Sequence, residues 1–220
     1  MYEAILFDLD GTLLDTLEDL ADSCNAVLAA RGLPTHPTDS YRVFVGDGME
    51  NLFRRALPQG RRDDEGEVRA CVEAMRVEYG KRWARKTVPY EGIRELLDGI
   101  AGRNVAAAVL SNKPHEFTVE MVDRFFGPGR FQAVFGARPG VAKKPDPAAA
   151  LEVSRILAVP PSRFLYAGDT NTDMRTAVNA GMFPLGVLWG FRGAMELKEA
   201  GARTLIAHPG QILDLLGGAP

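Results

Sequence analysis

Cysteine and histidine are scarce in this sequence, with two and three copies in 220 residues. Cys24 and Cys71 stand alone, with no CxxC pair and no His-rich spacing near them. That excludes a disulfide framework and a zinc module and fits a reducing compartment. Both cysteines fall at helix-packing positions, which suits buried, inert thiols. His36, His115 and His208 are scattered, as structural or exposed residues would be. Long apolar runs are missing too. The longest charge-free stretch, Thr176 to Phe191, is broken by Thr, Asn, Gly and Pro and falls short of the ~20 apolar residues that span a membrane. The opening MYEAILFDLDGT has no basic leader and no small-residue cleavage site, so no signal peptide is expected and the location expected is the cytoplasm. Nor is there an excess of positive charge. Lys and Arg number 26 against 29 Asp and Glu, a net charge of −3, which gives no electrostatic reason to expect nucleic acid. What is present is 46% apolar and 25% charged, the make-up of a folded globular protein rather than a disordered chain.

The apolar segments alternate with helical ones. Ala4-Ile5-Leu6-Phe7 reads as a buried strand, and similar runs recur at Val105 to Leu110, Ala133 to Phe135, Phe164 to Ala167 and Pro184 to Trp189. Helical stretches lie between them. Glu91 to Ala101 is closed by Gly102, Pro147 to Leu157 follows Asp146 as N-cap, and a third begins near Thr172 and ends at Gly181. Continuous apolar strands alternating with helices predict a Rossmann-like α/β fold, a parallel sheet with helices on both faces. A block of different character interrupts it. Leu17, Leu20, Ala21, Cys24, Val27 and Leu28 keep helical spacing after an Asp15-x-x-Glu18 capping box. Leu52, Phe53, Ala56 and Leu57 predict a second helix, and Val68, Val72, Met75, Tyr79 and Trp83 a third. The expected organisation is a core of residues 1–14 and 88–220 with an inserted all-helical unit at 15–87.

Acidic residues fall at the strand ends. The first strand ends in Asp8-Leu9-Asp10-Gly11-Thr12, the second in Ser111-Asn112-Lys113, and the fourth in Gly168-Asp169-Thr170-Asn171-Thr172-Asp173. Ligands of open α/β sheets bind beyond the carboxyl ends of the strands, and Lys144 in Lys143-Lys144-Pro145 can reach the same edge. Carboxylates gathered there repel, each pair at ~4 Å by about 4 kcal/mol at an effective dielectric near 20. A cation resolves the conflict, and oxygen ligands without His or Cys select a hard ion, Mg²⁺ before Ca²⁺. Mg²⁺ held by few carboxylates takes further ligands from a phosphate. Ser111, the turn N–H groups after Asp8 and Ser111, and the charge of Lys144 are suited to phosphoryl oxygens.

In order and spacing, Asp8-Leu9-Asp10-Gly11-Thr12-Leu13, Ser111-Asn112, Lys144-Pro145 and Gly168-Asp169-x-x-x-Asp173 resemble the four motifs of the haloacid dehalogenase superfamily. The helical insertion sits where that superfamily places a mobile cap. Val45-Gly46-Asp47-Gly48, Pro89-Tyr90-Glu91-Gly92, Thr176-Ala177-x-Asn179-Ala180-Gly181 and Trp189-Gly190-Phe191-Arg192 resemble its phosphoglycolate phosphatase branch. The resemblance implies that Asp8 is a nucleophile forming an aspartyl-phosphate and that Asp10 is the general acid and then the general base. It implies phosphate binding by Ser111, Asn112 and Lys144. Mg²⁺ would be held by Asp8, Asp169 and the backbone carbonyl of Asp10, with Asp173 acting through water or by orienting Lys144. The paired Asp8 and Asp10 speak against dehalogenation. Sugar-phosphate mutase, pyrophosphatase and a non-catalytic phosphate-binding module are the alternatives to a phosphatase.

Three further signals have simpler readings. Gly46-Asp47-Gly48 lacks the third glycine of a dinucleotide loop and follows no buried strand; a cap loop over the active site, contacting substrate, is the expectation. Lys81-Arg82-Trp83-Ala84-Arg85-Lys86 suits a solvated helix C-terminus, and Lys143 a solvated neighbour of Lys144. The expected partner is a small phosphorylated substrate, with the chain acting as monomer or homodimer. The cap is expected to open and close about Asp15 and Val88-Pro89.

Overall fold

A computed structural model describes residues 1–216. In chain order its elements are β1 (Ala4–Phe7), β2 (Leu14–Asp15), α1 (Leu17–Ala30), α2 (Tyr41–Phe44), α3 (Met49–Ala56), α4 (Glu65–Gly80), β3 (Val88–Pro89), α5 (Ile93–Ala101), β4 (Ala106–Pro114) and α6 (His115–Phe126). There follow β5 (Ala133–Ala137), α7 (Ala148–Leu157), β6 (Phe164–Gly168), α8 (Asn171–Ala180), β7 (Phe183–Val187), α9 (Ala194–Glu199), β8 (Thr204–Ile206) and α10 (Gln211–Leu215). Two compact units result, one of Met1–Leu14 with the chain from Pro89 onward, the other of Asp15–Val88. Val88, which the sequence reading assigns to the core, groups with the helical unit. No helix among the described residues is long and apolar enough to cross a membrane.

The α/β unit is a six-stranded sheet in the order β5-β4-β1-β6-β7-β8, with parallel pairing throughout. From β1 the chain winds outward through β4 and β5, then crosses to β6, β7 and β8. The winding therefore reverses at β1, whose carboxyl end is the place where such sheets bind ligands. All four residues of β1 are buried, because helices cover both faces and the period-two alternation of a half-exposed strand has no use here. On one face Leu6, Leu110 and Tyr166 pack with Ala150 and Val153 of α7 and Ala177 of α8. The opposite face carries α5 and α6 against β4, and there the Phe7 ring meets Phe131 edge-on. Fully burying a side chain such as Leu6 or Phe7 stabilises by about 1.5–3 kcal/mol.

Several boundaries differ from the sequence reading, each for a local reason. The second strand runs on through Ser111, Asn112 and Lys113 to Pro114, with an irregular register after Leu110. The run at Pro184 forms its strand at Phe183–Val187, leaving Trp189 in the following loop. The helix expected from Glu91 starts at Ile93, since Gly92 takes a left-handed φ of 82° that ends the turn before it. The helix expected from Pro147 starts at Ala148, whose N–H is accepted by Asp146 at 2.8 Å. Strand β8 and the two-stranded ribbon of β2 and β3 were absent from the reading, because two or three residues carry no periodicity.

The helical unit is built on α1 packed against α4, and α3 against α4. The expected capping box does not form. Asp15 accepts only the Leu17 N–H at 3.3 Å, Thr16 is the N-cap, and Glu18 faces Lys86 at 3.0 Å. The anchoring acid is Asp19, which is buried and accepts from the Lys86 N–H, the Thr87 N–H and the Thr87 hydroxyl at 3.0, 2.9 and 2.8 Å. Trp83 lies past the end of α4, which stops at Gly80. The basic run is therefore a turn, with Lys81 and Arg82 paired to Glu78. His36 is structural, its Nε2 lying 2.7 Å from the Ala56 carbonyl. Cys24 and Cys71 are buried, and burial pushes the Cys24 thiol up to about 12, which leaves it without thiolate reactivity at neutral pH.

Candidate active site

Register places the chemistry. Phe7 pairs with Val109 on one side and Ala167 on the other, so Asp8 emerges between the end of β4 and Gly168-Asp169. The turn after β1 is tight. Leu9 accepts from the N–H groups of Thr12, Leu13 and Leu14, and Gly11 donates to the Leu14 carbonyl at 2.9 Å. Gly11 is required there, with φ of 89° and the position of a β-carbon only 2.2 Å from Asp169 Oδ2. Gly190 is equally constrained, since a β-carbon would sit 2.3 Å from Asp169 Cβ and 2.4 Å from the Gly11 carbonyl oxygen.

Lys144 forms the centre of the buried charge. Its Nζ lies 2.8 Å from Asp8 Oδ1, 2.7 Å from Asp173 Oδ1 and 3.2 Å from the Leu110 carbonyl. Burial would lower the ammonium, but Asp173 and Asp8 together hold it well above its ordinary value. The second oxygen of Asp173 accepts the Thr170 N–H and hydroxyl at 3.0 and 2.6 Å. Asp173 thus closes a capping box on α8 and fixes Lys144 at once. Asp169 is wholly buried, accepting the Thr12 hydroxyl and the Phe191 N–H, each at 2.9 Å. Burial and the neighbouring Asp173 raise Asp8 to about 7 against the pull of Lys144. Burial, with Asp173 and Asp8, raises Asp169 as well.

Asp10 is turned elsewhere. Its two oxygens accept from Lys113 Nζ at 2.8 and 2.9 Å. Ser111 is buried and its hydroxyl accepts the Lys113 N–H at 3.2 Å. Both ends of the Asn112 amide engage the Lys144 backbone, Oδ1 accepting its N–H at 2.9 Å and Nδ2 donating to its carbonyl at 3.2 Å. Asn112 therefore holds the Lys144 segment through both ends of its amide. Lys143 is exposed. In the helical unit, Gly46 and Gly48 have φ of 120° and 88°, and Asp47 pairs with Arg55.

One carboxylate oxygen each from Asp8, Asp169 and Asp173 lie within 4.8 Å of one another. This donor set fits a hard divalent cation. All three are buried and all offer oxygen, and the ion pairs of the four acids Asp8, Asp10, Asp169 and Asp173 among the described residues are with the ammoniums of Lys113 and Lys144. With all four ionised, two negative charges would be left over, in line with the upward shifts of Asp8 and Asp169. Both oxygens of Asp173 and both of Asp169 already have partners, and Asp8 Oδ1 faces Lys144, so a cation here would share oxygens with those contacts. The Asp10 carboxylate stands outside the cluster. The sequence reading missed Lys113, Thr12 and the Phe191 N–H as members of the site. Lys113 had a legible signal, its place directly after Ser111-Asn112. The other two depend on contacts across 157 and 22 residues of chain.

Comparison with known proteins agrees with this geometry. Residues 5–187 match the haloacid dehalogenase-like hydrolase family. The phosphoglycolate phosphatase of Pseudomonas syringae pv. tomato is 34% identical over 205 residues, covering 92% of this chain and 75% of its own. That of Psychrobacter arcticus is 32% identical over 202 residues, covering 90% and 88%. Among solved structures, a protein of Lactobacillus delbrueckii subsp. bulgaricus, provisionally classed as a phosphoglycolate phosphatase, superposes with a TM-score of 0.92 at 28% identity and 99% coverage of both chains. Buried acids around one lysine at the reversal point of a parallel sheet, and relatives matched along nine-tenths of the chain, lead to one assignment: this protein belongs to the haloacid dehalogenase-like hydrolases and resembles the phosphoglycolate phosphatases among them.

Proposed function

We propose that this protein is a Mg²⁺-dependent phosphomonoester hydrolase that works through an aspartyl-phosphate on Asp8, with 2-phosphoglycolate as its first candidate substrate. The observation that supports it most is Lys144 Nζ within 2.8 Å of both Asp8 and Asp173. This gives a carboxylate nucleophile, a fixed positive charge beside it, and a second acid that orients the charge. The names of the relatives support the substrate. Mg²⁺, when bound, supplies the positive charge that offsets the carboxylates and polarises the transferring phosphoryl group.

The chain's own residues do the rest. Asp8 attacks phosphorus with one oxygen while Lys144 stays on its flank. Asp10 gives a proton to the departing alkoxide and later takes one from the water that hydrolyses the intermediate. Ser111 offers a hydroxyl to the phosphoryl oxygens, and Asn112 keeps Lys144 in reach through its backbone. Asp169, held by Thr12 and the Phe191 N–H, is oriented for the cation. A phosphate-release screen over small phosphorylated acids, sugar phosphates, nucleotides and pyrophosphate in Mg²⁺ tests this. Release from small phosphomonoesters, abolished by EDTA and by Asp8→Asn, is expected. Turnover surviving in Asp8→Asn would overturn the covalent mechanism.

A further inference from the structure

We propose that Lys113 is a positioning residue for proton transfer: it holds the Asp10 carboxylate apart from the cation cluster and orients it toward the leaving-group oxygen. The proposal rests on the phosphatase reading of the same site. It starts from an ion pair between residues 103 positions apart, in which one ammonium reaches both oxygens of one carboxylate at 2.8 and 2.9 Å. The Lys113 side chain is only 3% exposed and that of Asp10 13%. Burying an ammonium is costly before its partner offsets it, so the pair is an unfavourable way merely to join two loops. The sheet does not need it. Strands β1 and β4 are already in register from Ala4–Ala106 to Phe7–Val109, and Lys113 lies beyond that ladder.

Both ends of the pair are rooted. The Lys113 N–H donates to Ser111 Oγ at 3.2 Å and its carbonyl accepts the Thr118 hydroxyl at 3.3 Å. Asp10 is followed by the turn that Gly11 closes on Leu14. With both backbones fixed, the remaining freedom lies in the side chains, and a contact to both oxygens removes it from the carboxylate. The consequence is chemical. Of the four acids at this edge, Asp10 alone has its carboxylate outside the group that could hold a metal. A carboxylate oxygen coordinated to a divalent cation carries a proton poorly, whereas one N–H contact from Lys113 leaves each Asp10 oxygen a second lone pair. Lys113 keeps that one carboxylate off the metal and available.

In the first step the Asp8–phosphorus bond forms, the phosphorus–alkoxide bond breaks, and the alkoxide takes the proton of Asp10. In the second, a water oxygen bonds to phosphorus, the Asp8–phosphorus bond breaks, and Asp10 takes the water proton. Lys113 keeps its protons through both.

The test uses the full-length protein with Mg²⁺, the alkyl phosphomonoester it turns over fastest, and p-nitrophenyl phosphate, whose leaving group departs without a proton. Lys113→Met is expected to lower kcat on the alkyl ester by about 10²-fold or more while KM stays within about threefold. First-turnover release of p-nitrophenolate is expected to stay within about threefold of wild type, since that step needs no acid. In an Asp10→Asn background, Lys113→Met is expected to add less than about threefold, the signature of two residues acting as one unit. Lys113→Gln carries the same test should the methionine variant fail to fold. Equal losses on both substrates in the first turnover, independent losses from the two residues, or an unchanged kcat would each overturn the proposal. Asp8→Asn separates the two readings. If it is inactive while Lys113→Met behaves as wild type, only the role of Lys113 fails; if Asp8→Asn turns over, the phosphatase reading itself fails.

Discussion

Replacing Asp8 with Asn should stabilise the cation-free protein while destroying its activity. In the fold without a cation, burial and Asp173 raise Asp8 from 3.8 to about 7, with the attraction of Lys144 already included in that balance. That rise corresponds to about 4 kcal/mol of preference for the neutral acid. The unfolded chain releases this proton near pH 4, whereas the folded chain keeps it until about pH 7. The folded state therefore binds the extra proton, and its stability falls as pH rises between those values. Asn is neutral throughout. In EDTA, Asp8→Asn should match wild type near pH 4 and exceed it by about 4 kcal/mol at pH 8, on the order of 10 °C in Tm for a chain of this size. Saturating Mg²⁺ should raise the Tm of wild type at pH 8 more than that of the variant, because binding to the folded state alone stabilises by mass action. Thermal unfolding by circular dichroism at pH 4, 6 and 8, with EDTA or Mg²⁺, makes the comparison. A variant no more stable than wild type at pH 8 in EDTA, with the same pH slope, would refute the idea that crowded carboxylates at this edge require a cation.

Three other variants probe the supports. Gly190→Ala places a methyl group 2.3 Å from Asp169 Cβ, so it should cost about 1–3 kcal/mol of stability and weaken Mg²⁺ binding by calorimetry; wild-type affinity would contradict the packing argument. Asn112→Ala removes two hydrogen bonds from the Lys144 backbone and should lower kcat by at least about tenfold, a misplacement effect on the Lys144 charge, as read from steady-state phosphate release. Asp19→Ala leaves three donors around Thr87 without their acceptor and should destabilise the helical unit by about 3 kcal/mol or more. Urea unfolding followed at Trp83 checks it.

The residues of the candidate site that the fold brings to one sheet edge were legible wherever chemistry and chain position coincide. Asp8, Asp10, Asp169 and Asp173 stand at strand ends in runs too polar for a buried sheet edge unless something binds them. Lys144 stands beside Pro145 ahead of a helix. The sheet was legible for a similar reason, since four-residue apolar runs such as Ala4 to Phe7 exclude a half-exposed strand. The partners of these residues were not. That Lys113 meets Asp10, that Thr12 donates to Asp169, and that Asn112 grips Lys144 all depend on the parallel register of β1 with β4 and β6 and on how far β4 overshoots it. A strand that runs to Pro114 rather than Leu110 lifts Lys113 to the height of Asp10, and no periodicity in the sequence signals that overshoot. The capping box at Asp15 shows the converse. A correct local pattern was present, but Glu18 found Lys86 and Asp19 became the buried anchor.

The claim that Asp8 carries the phosphoryl group can be tested directly by acid-quenching the protein during turnover with Mg²⁺ and the best substrate, then measuring the mass of its peptides. The account predicts that the peptide containing Asp8 gains the mass of one phosphoryl group, that hydroxylamine removes it, and that Asp8→Asn never shows it. Rapid turnover with no phosphorylated peptide at any quench time, or with the label on another residue, would contradict it.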